Sequence, residues 1–368
     1  MSETSGLIRF TATLILALLV QGQVPATAQS ATDQQPPPVT VGGVLFYDYT
    51  FTLAPDAEDA GGQTYRPNGF NVTRAYLNVT GRVAPFLRFR ITPDITRMSG
   101  SGGSTDGSVM FRMKYGYAQF DLDQVTGAWD DTWVRMGIHQ TPFIDAADGV
   151  YRYRFQGTSF AERDGGLSSA DAGVSARTAF PGGYGDVHIG VYNGEGYSRA
   201  EQNEQKALML RATLRPMPDG GALTRGLRVT GYLHRDHVMA GAERHRYIGS
   251  IWYEHQRFNA GFDYLSRDDR SAPDARLIES DGLSVFVTPF LQQKGDGLEL
   301  LLRYDTFRPD RSIDARRHRT IAGLAWWMPT ADGRTAALML DYEQVRYRGA
   351  AETRPADRRL ILHGLVTF

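Results

Sequence analysis

From residue 39 onward, apolar and polar residues alternate one by one through most of the chain, the mark of strands whose two faces meet different surroundings. In FLRFRITPDI (86–95), Leu87, Phe89 and Ile91 share one face, while Arg88, Arg90, Thr92 and Asp94 share the other. VMFRMKYGY (109–117) sets Val109, Phe111, Met113, Tyr115 and Tyr117 against Arg112 and Lys114, and TWVRMGIHQ (132–140) sets Val134, Met136 and Ile138 against Arg135 and His139. The final stretch, RRLILHGLVTF (358–368), puts Leu360, Leu362, Val366 and Phe368 opposite Arg359, His363 and Thr367. Helical packing would need apolar residues every third or fourth position, and they recur every second.

Between these strands, short connections such as VAP (83–85), PGGYG (181–185), PMPDGGALT (216–224), QKGD (293–296) and PTADGR (329–334) alternate with long ones, among them 54–69, 99–108, 267–280 and 349–357. That asymmetry is the one outer-membrane barrels show, with tight turns on one side of the membrane and long loops on the other. The spacing predicts an all-β chain: a transmembrane antiparallel β-barrel of about sixteen strands over residues 39–368, closed by pairing Val39–Phe51 with Arg358–Phe368. An open strand edge is intolerable in lipid. A soluble barrel would have to bury Arg88, Arg90, Arg112, Lys114 and Arg135 in its core, at several kcal/mol each if unpaired. Turned inside out, the apolar face meets lipid and the charges meet lumen water. Trp133, Trp252, Trp326 and Trp327 are candidates for the headgroup level.

Residues 1–28 read as a secretory signal peptide: a weakly basic start, the apolar run Phe10–Val20, and Ala26–Ala28 as the small-residue cleavage pattern. Residues 29–38 read as a proline-rich linker. The 368-residue chain has a net charge of -1 with its cations dispersed, which argues against a nucleic-acid partner. It has no cysteine, which excludes disulfides, thiolate metal sites and a cysteine nucleophile. No G-x-S-x-G, H-E-x-x-H or phosphate-cradling glycine loop occurs, so no cofactor or metal and no enzymatic activity is expected. The strand pair in HRDH (234–237) would point its histidines to opposite faces.

By alternation, the early strands direct Arg88, Arg90, Arg112, Lys114, Arg135, His139, Arg177, His188, Arg211, Arg215, Arg228 and His234 inward, with Asp94 and Asp171 as the main acids. The later strands direct Glu254, Asp263, Glu299, Asp305, Asp341 and Glu343 inward, with Arg303. One lumen wall is thus expected to be basic and the facing wall more acidic, giving a transverse field with a mild preference for anions.

The segments FNVTRAYLNVTGRVAPFLRFRITPD (70–94), YGYAQFD (115–121), VRMGIHQTPF (134–143), FAERDGGLSSADAGVSARTAF (160–180) and VYNGEG (191–196) resemble the phosphate-selective porins O and P. Gly137, Thr141, Pro142 and Phe143 keep the family pattern of the third segment, while His139-Gln140 stands where a basic residue is usual. The resemblance spans about residues 40 to 200 and implies a sixteen-stranded, commonly trimeric barrel whose third external loop, 141–168, folds inward. Arg152, Arg154 and Arg163 then line a constriction or, alternatively, form ion pairs with Asp145, Asp148, Glu162 and Asp164 that hold the loop. The expected function is a passive pore in the outer membrane of a Gram-negative-type bacterium, passing small anions, phosphate among them, or other small hydrophilic solutes. A barrel enzyme and a structural barrel with a blocked lumen are the alternatives.

Overall fold

The computed structural model describes residues 39–97, 107–330, 333–349 and 354–368. The expected signal peptide and linker lie outside the described residues, as does most of the 99–108 connection. Sixteen strands form the wall. They are β1 (Thr40–Ala54), β2 (Asn68–Ala84), β3 (Leu87–Arg97), β4 (Val109–Asp121), β5 (Trp133–Gln140), β6 (Ala170–Ala179), β7 (Gly185–Tyr192) and β8 (Ala207–Leu214). The second half comprises β9 (Leu227–Arg235), β10 (Ala242–Glu254), β11 (Phe258–Asp269), β12 (Ile278–Pro289), β13 (Gly297–Arg308), β14 (Arg316–Met328), β15 (Thr335–Arg348) and β16 (Asp357–Thr367). Every strand pairs antiparallel with its sequence neighbours, and β1 pairs with both β2 and β16, so the sheet closes. The strands run from 8 to 17 residues, a range that brackets the roughly 9–11 of a tilted membrane-crossing strand. No helix among the described residues is long and apolar enough to cross a membrane.

Alternation sends Phe70, Phe111, Met136, Ile251 and Leu340 outward, where they are exposed. The transmembrane orientation expected from the sequence follows: an apolar outer wall around a lumen holding the charges. Two features depart from the simple alternation. The β3–β4 register passes from Thr92↔Tyr115 to Pro93↔Met113, so Lys114 is the extra residue of a β-bulge. Pro93, without an N–H to donate, suits such a break in the ladder. The bulge reverses the phase of β4. Tyr115 and Tyr117, expected on the lipid face, therefore line the lumen beneath Arg90 and Arg135, and Asp121 turns inward with them.

The second departure is that the lumen is not uniformly polar. Met209, Trp252, Leu265, Leu301, Trp327 and Met339 point inward and are buried. Of the four tryptophans expected near headgroups, only Trp326 is exposed; Trp133, Trp252 and Trp327 are interior. Trp252 and Trp327 serve as packing for the third external loop, described below, while Trp133 meets His188 and Arg135.

At the seam, each strand supplies a glycine that lies under an aromatic ring from the other. A Cβ on Gly364 would sit 2.1 Å from Tyr47 Cζ, and one on Gly43 would sit 2.3 Å from Phe368 Cζ. Backbone bonds Gly43 N–Phe368 O (2.8 Å) and Phe368 N–Gly43 O (3.1 Å) tie the same corner. Gly364→Val and Gly43→Val should each force the covering ring aside and cost about 1–3 kcal/mol, as overpacking does. Urea midpoints of refolded protein in micelles will show this as a lowered transition, with Gly231→Val in β9, where a Cβ meets nothing within 4 Å, as the tolerant comparison.

Candidate functional site in the lumen

Residues 141–169 leave β5, enter the lumen and return at β6. Thr141 is the extended N-cap and Pro142 the first residue of helix α1 (Pro142–Tyr151), a position where the missing proline N–H costs nothing. The helix turns Phe143, Ile144, Ala147, Val150 and Tyr151 into buried contacts. Phe143 lies 5.2 Å from the Tyr232 ring and 5.6 Å from that of Trp252, and Tyr151 lies 5.1 Å from Phe286. Each such buried side chain contributes about 1.5–3 kcal/mol. Beyond the helix, Tyr153 and Phe155 pack against Trp327, and a short helix α2 (Phe160–Arg163) follows, capped by Ser159. The inward fold implied by the family resemblance is present, and the apolar lumen residues of β8–β15 are what receive it.

Polar contacts fix the remainder. Glu299, fully buried on β13, accepts from Arg152 Nη1 at 3.1 Å, Tyr153 Oη at 2.6 Å and the Gly295 N–H at 2.6 Å. Backbone carbonyls of the loop accept from wall arginines: Pro142 from Arg211 (2.9 Å), Thr158 from Arg303 (3.1 Å), Asp164 from Arg267 (2.6 Å) and Gly165 from Arg246 (2.5 Å). Arg246, Arg267 and Arg317 were not among the residues singled out from sequence. Their lumen position follows from strand parity, but nothing local says that a distant loop is their partner.

Each arginine and lysine proposed from sequence can now be placed. Arg152 is held by Glu299. Arg154 pairs within the loop with Glu162 (2.9 Å) and with Asp148 (3.6 Å). Arg163 is buried within electrostatic reach of Arg303, Arg319, Glu343 and Asp305. Arg112 donates to Asp94 at 3.3 Å, and Lys114 donates to Ser169 with its ammonium 3.9 Å from the Tyr197 ring. Arg177 and Arg211 share Asp186, at 2.9 and 3.2 Å, and Arg88 reaches Asp121 at 2.5 Å. Arg90 donates to Asn78 at 2.8 Å and to Thr92 at 3.0 Å. Arg135 donates to Gln119 at 2.8 Å and Gln140 at 3.0 Å, and its guanidinium lies 4.0 Å from the Trp133 ring. Those last two meet amides, hydroxyls and rings, with no carboxylate at ion-pair distance among the described residues.

The expected separation into a basic and an acidic wall is therefore corrected. Asp121 and Asp186 neutralise cations on the first wall, while Arg246, Arg267, Arg303 and Arg319 neutralise acids on the second. Asp121 escaped the sequence reading because the bulge at Lys114 shifts its parity. A cavity of about 510 Å³ lies open beside helix α1, along β3–β10. Its lining carries five arginines (Arg88, Arg135, Arg177, Arg211 and Arg228) against four carboxylates (Asp131, Asp145, Asp186 and Glu254), with Trp133, His188 and Trp252 between them.

No protein-family model matches the chain, and no curated protein matches it. Solved structures do. A loop-deletion form of OmpT, an outer membrane protein of Vibrio cholerae, superposes with a TM-score of 0.60 at 14% identity, over 91% of this chain and 100% of that one. An anion-selective porin from Comamonas acidovorans gives 0.59 at 12% identity, over 90% and 100%. The outer membrane channel DcaP of Acinetobacter baumannii gives 0.57 at 12%, over 92% and 99%. The fold is that of the outer-membrane porins. At such identities the likeness concerns the fold. One expectation is corrected by this set, that of a non-enzymatic chain: four of the similar structures are forms of OmpT, described only as an outer membrane protein. The shared fold leaves catalysis open.

Two outcomes follow from the loop's anchors. Glu299→Gln leaves the half-buried Arg152 guanidinium without its counter-charge, at a cost of up to about 3 kcal/mol. The 152–158 segment should come loose, so a cysteine at Thr158 will react faster with a soluble maleimide in that background. Burial pushes the Asp148 carboxyl up to about 7, against the pull of Arg154. Because its folded value exceeds its unfolded one, its contribution to stability is fullest in acid and is lost as pH rises towards 7. Asp148→Asn should accordingly gain on wild type in thermal unfolding between pH 4 and pH 7, and level off above.

Proposed function

We propose that this chain forms an outer-membrane channel for passive diffusion of small hydrophilic solutes, with a modest preference for anions, and that it is allied to the phosphate-selective porins. The observation that carries the reading is the cavity beside the inward helix. Its arginines outnumber its carboxylates by one, and Arg135, stacked on Trp133, has its charge met only by neutral amides and rings. A cation held that way keeps its field available to passing solute. Arg88, Arg90 and Arg135 are proposed as the residues that solute anions meet. Arg112, Lys114, Arg152, Arg154, Arg163, Arg177 and Arg211 set the surrounding potential and hold the loop. The anion selectivity of the Comamonas porin on the same fold supports this reading. Export by the N-terminal signal and assembly as a homotrimer belong to the same proposal.

Planar-bilayer recording in a salt gradient tests it. The channel should conduct, with a reversal potential displaced to the anion side. Arg135→Glu changes the local charge by two units without touching the lipid face, where charge would cost stability. It should move the reversal potential towards cations at low salt. The shift should shrink at 1 M salt, where the Debye length is about 3 Å. A folded barrel without conductance, or an Arg135→Glu channel with unchanged selectivity at low salt, would overturn the reading.

A further inference from the structure

The three arginines proposed to meet solute anions, Arg88 and Arg90 on β3 and Arg135 on β5, flank one strand. β4 pairs with both neighbours, and its register sets Tyr117 across from Arg90 and Gln119 across from Arg88. On its other side the same Gln119 stands across from Arg135. The lumen row of β4, made of Tyr115, Tyr117, Gln119 and Asp121, therefore runs between the cations.

That row exists only because of the bulge. Arg112 lies across from Asp94, and strict alternation from there would bring Gly116 opposite Arg90, Ala118 opposite Arg88, and Phe120 inward after them. Gly116 and Ala118 have no ring face and no side-chain acceptor to offer a guanidinium. The extra residue at Lys114 replaces them with two tyrosines, an amide and a carboxylate.

The row shapes how the arginines are held. The Arg90 guanidinium lies 4.5 Å from the Tyr115 ring centre. That of Arg135 lies 4.9 Å from Tyr117 and 4.0 Å from Trp133, between rings of adjacent strands. Gln119 donates from Nε2 to Asp121 at 2.6 Å and accepts from Arg135 Nε at 2.8 Å, an amide set between guanidinium and carboxylate. A ring face attracts a cation through its quadrupole and leaves the net charge in place, whereas a carboxylate at ion-pair distance would cancel it.

We propose that Tyr115, Tyr117 and Gln119 are positioning residues of the anion path, brought into the lumen by the bulge at Lys114. The two tyrosine rings hold Arg90 and Arg135 extended along the wall, and the amide keeps Arg135 from closing on Asp121. The bulge is thereby a determinant of selectivity. This rests on the anion-preferring channel proposed for the chain, so the test separates the two.

Phenylalanine, and then ring-fluorinated phenylalanines of increasing fluorine content, are placed at 115 and 117 of the full chain and recorded in planar bilayers in a low-salt gradient. None of these exchanges alters charge, and ring shape is kept. Fluorine draws electron density from the ring face and weakens its hold on a cation. Tyr115→Phe/Tyr117→Phe should keep the reversal potential on the anion side, and added fluorine should move it stepwise towards zero. Tyr115→Leu/Tyr117→Leu and Gln119→Leu should each move it in the same direction. Phe120→Leu, on the lipid face of the same strand, should not. A merely structural role for the rings would give no graded response to fluorine. If a leucine variant does not fold, the fluorinated series decides. An anion-selective wild type whose preference stays constant through that series overturns the positioning role and leaves the channel's anion preference standing. A wild type without anion preference overturns both.

Discussion

In hydrocarbon an unpaired backbone N–H or C=O has no water to turn to, and each one left open costs several kcal/mol. Everything else in this barrel depends on meeting that constraint without remainder. The sheet must close, so β1 serves two partners at once, with β2 on one side and β16 on the other. Closure brings two backbones together with little tolerance at the seam. Gly43 and Gly364 are there because the rings of Phe368 and Tyr47 occupy the space a side chain would need. Closure also fixes parity all the way round, so each residue's face is settled by its place in the register.

Parity then creates a second problem, inside. A sixteen-stranded cylinder is too wide for its own side chains to fill, and its inward positions hold both charges and apolar groups. The loop between β5 and β6 resolves both. Its helix covers Trp252, Tyr232 and Phe286, and its carbonyls and Asp164 accept from Arg211, Arg303, Arg267, Arg246 and Arg317. Buried charge is tolerable only when paired and hydrogen-bonded, and loop and wall complete each other's pairs.

Strand number and closure were legible in the sequence, because a period of two is a local property that survives any tertiary arrangement. The pairing of charges was not. Asp121 was missed because one extra residue at Lys114 inverts everything after it in that strand, and a bulge has no reliable local signature beyond the Pro93 opposite it. Tyr115, Tyr117 and Trp133 were misplaced for a related reason. An aromatic suits a headgroup, a lipid wall or a lumen stack equally well, and only the register chooses. Arg246–Gly165 and Arg267–Asp164 link residues far apart in the chain, a relation that alternation does not encode.

The loop's preference for one wall decides where function has room. Its apolar face needs Tyr232, Trp252, Phe286 and Trp327, which lie on β9 to β14, so it is drawn to that side. The open volume is left along β3 to β10 beside Asp145, Ala146 and Gly149 of the helix's other face. On that side the ion pairs near the cavity include a two-to-one cluster, Arg228 and Lys294 about Glu254, and single contacts such as Arg88 with Asp121. A cluster with one cation in excess keeps a residual field, whereas the Arg303–Asp305 pair, both groups almost wholly buried, is spent on structure. Hydrophobic packing of the loop on one wall is thus what leaves the partly compensated cations of the other wall in contact with solute.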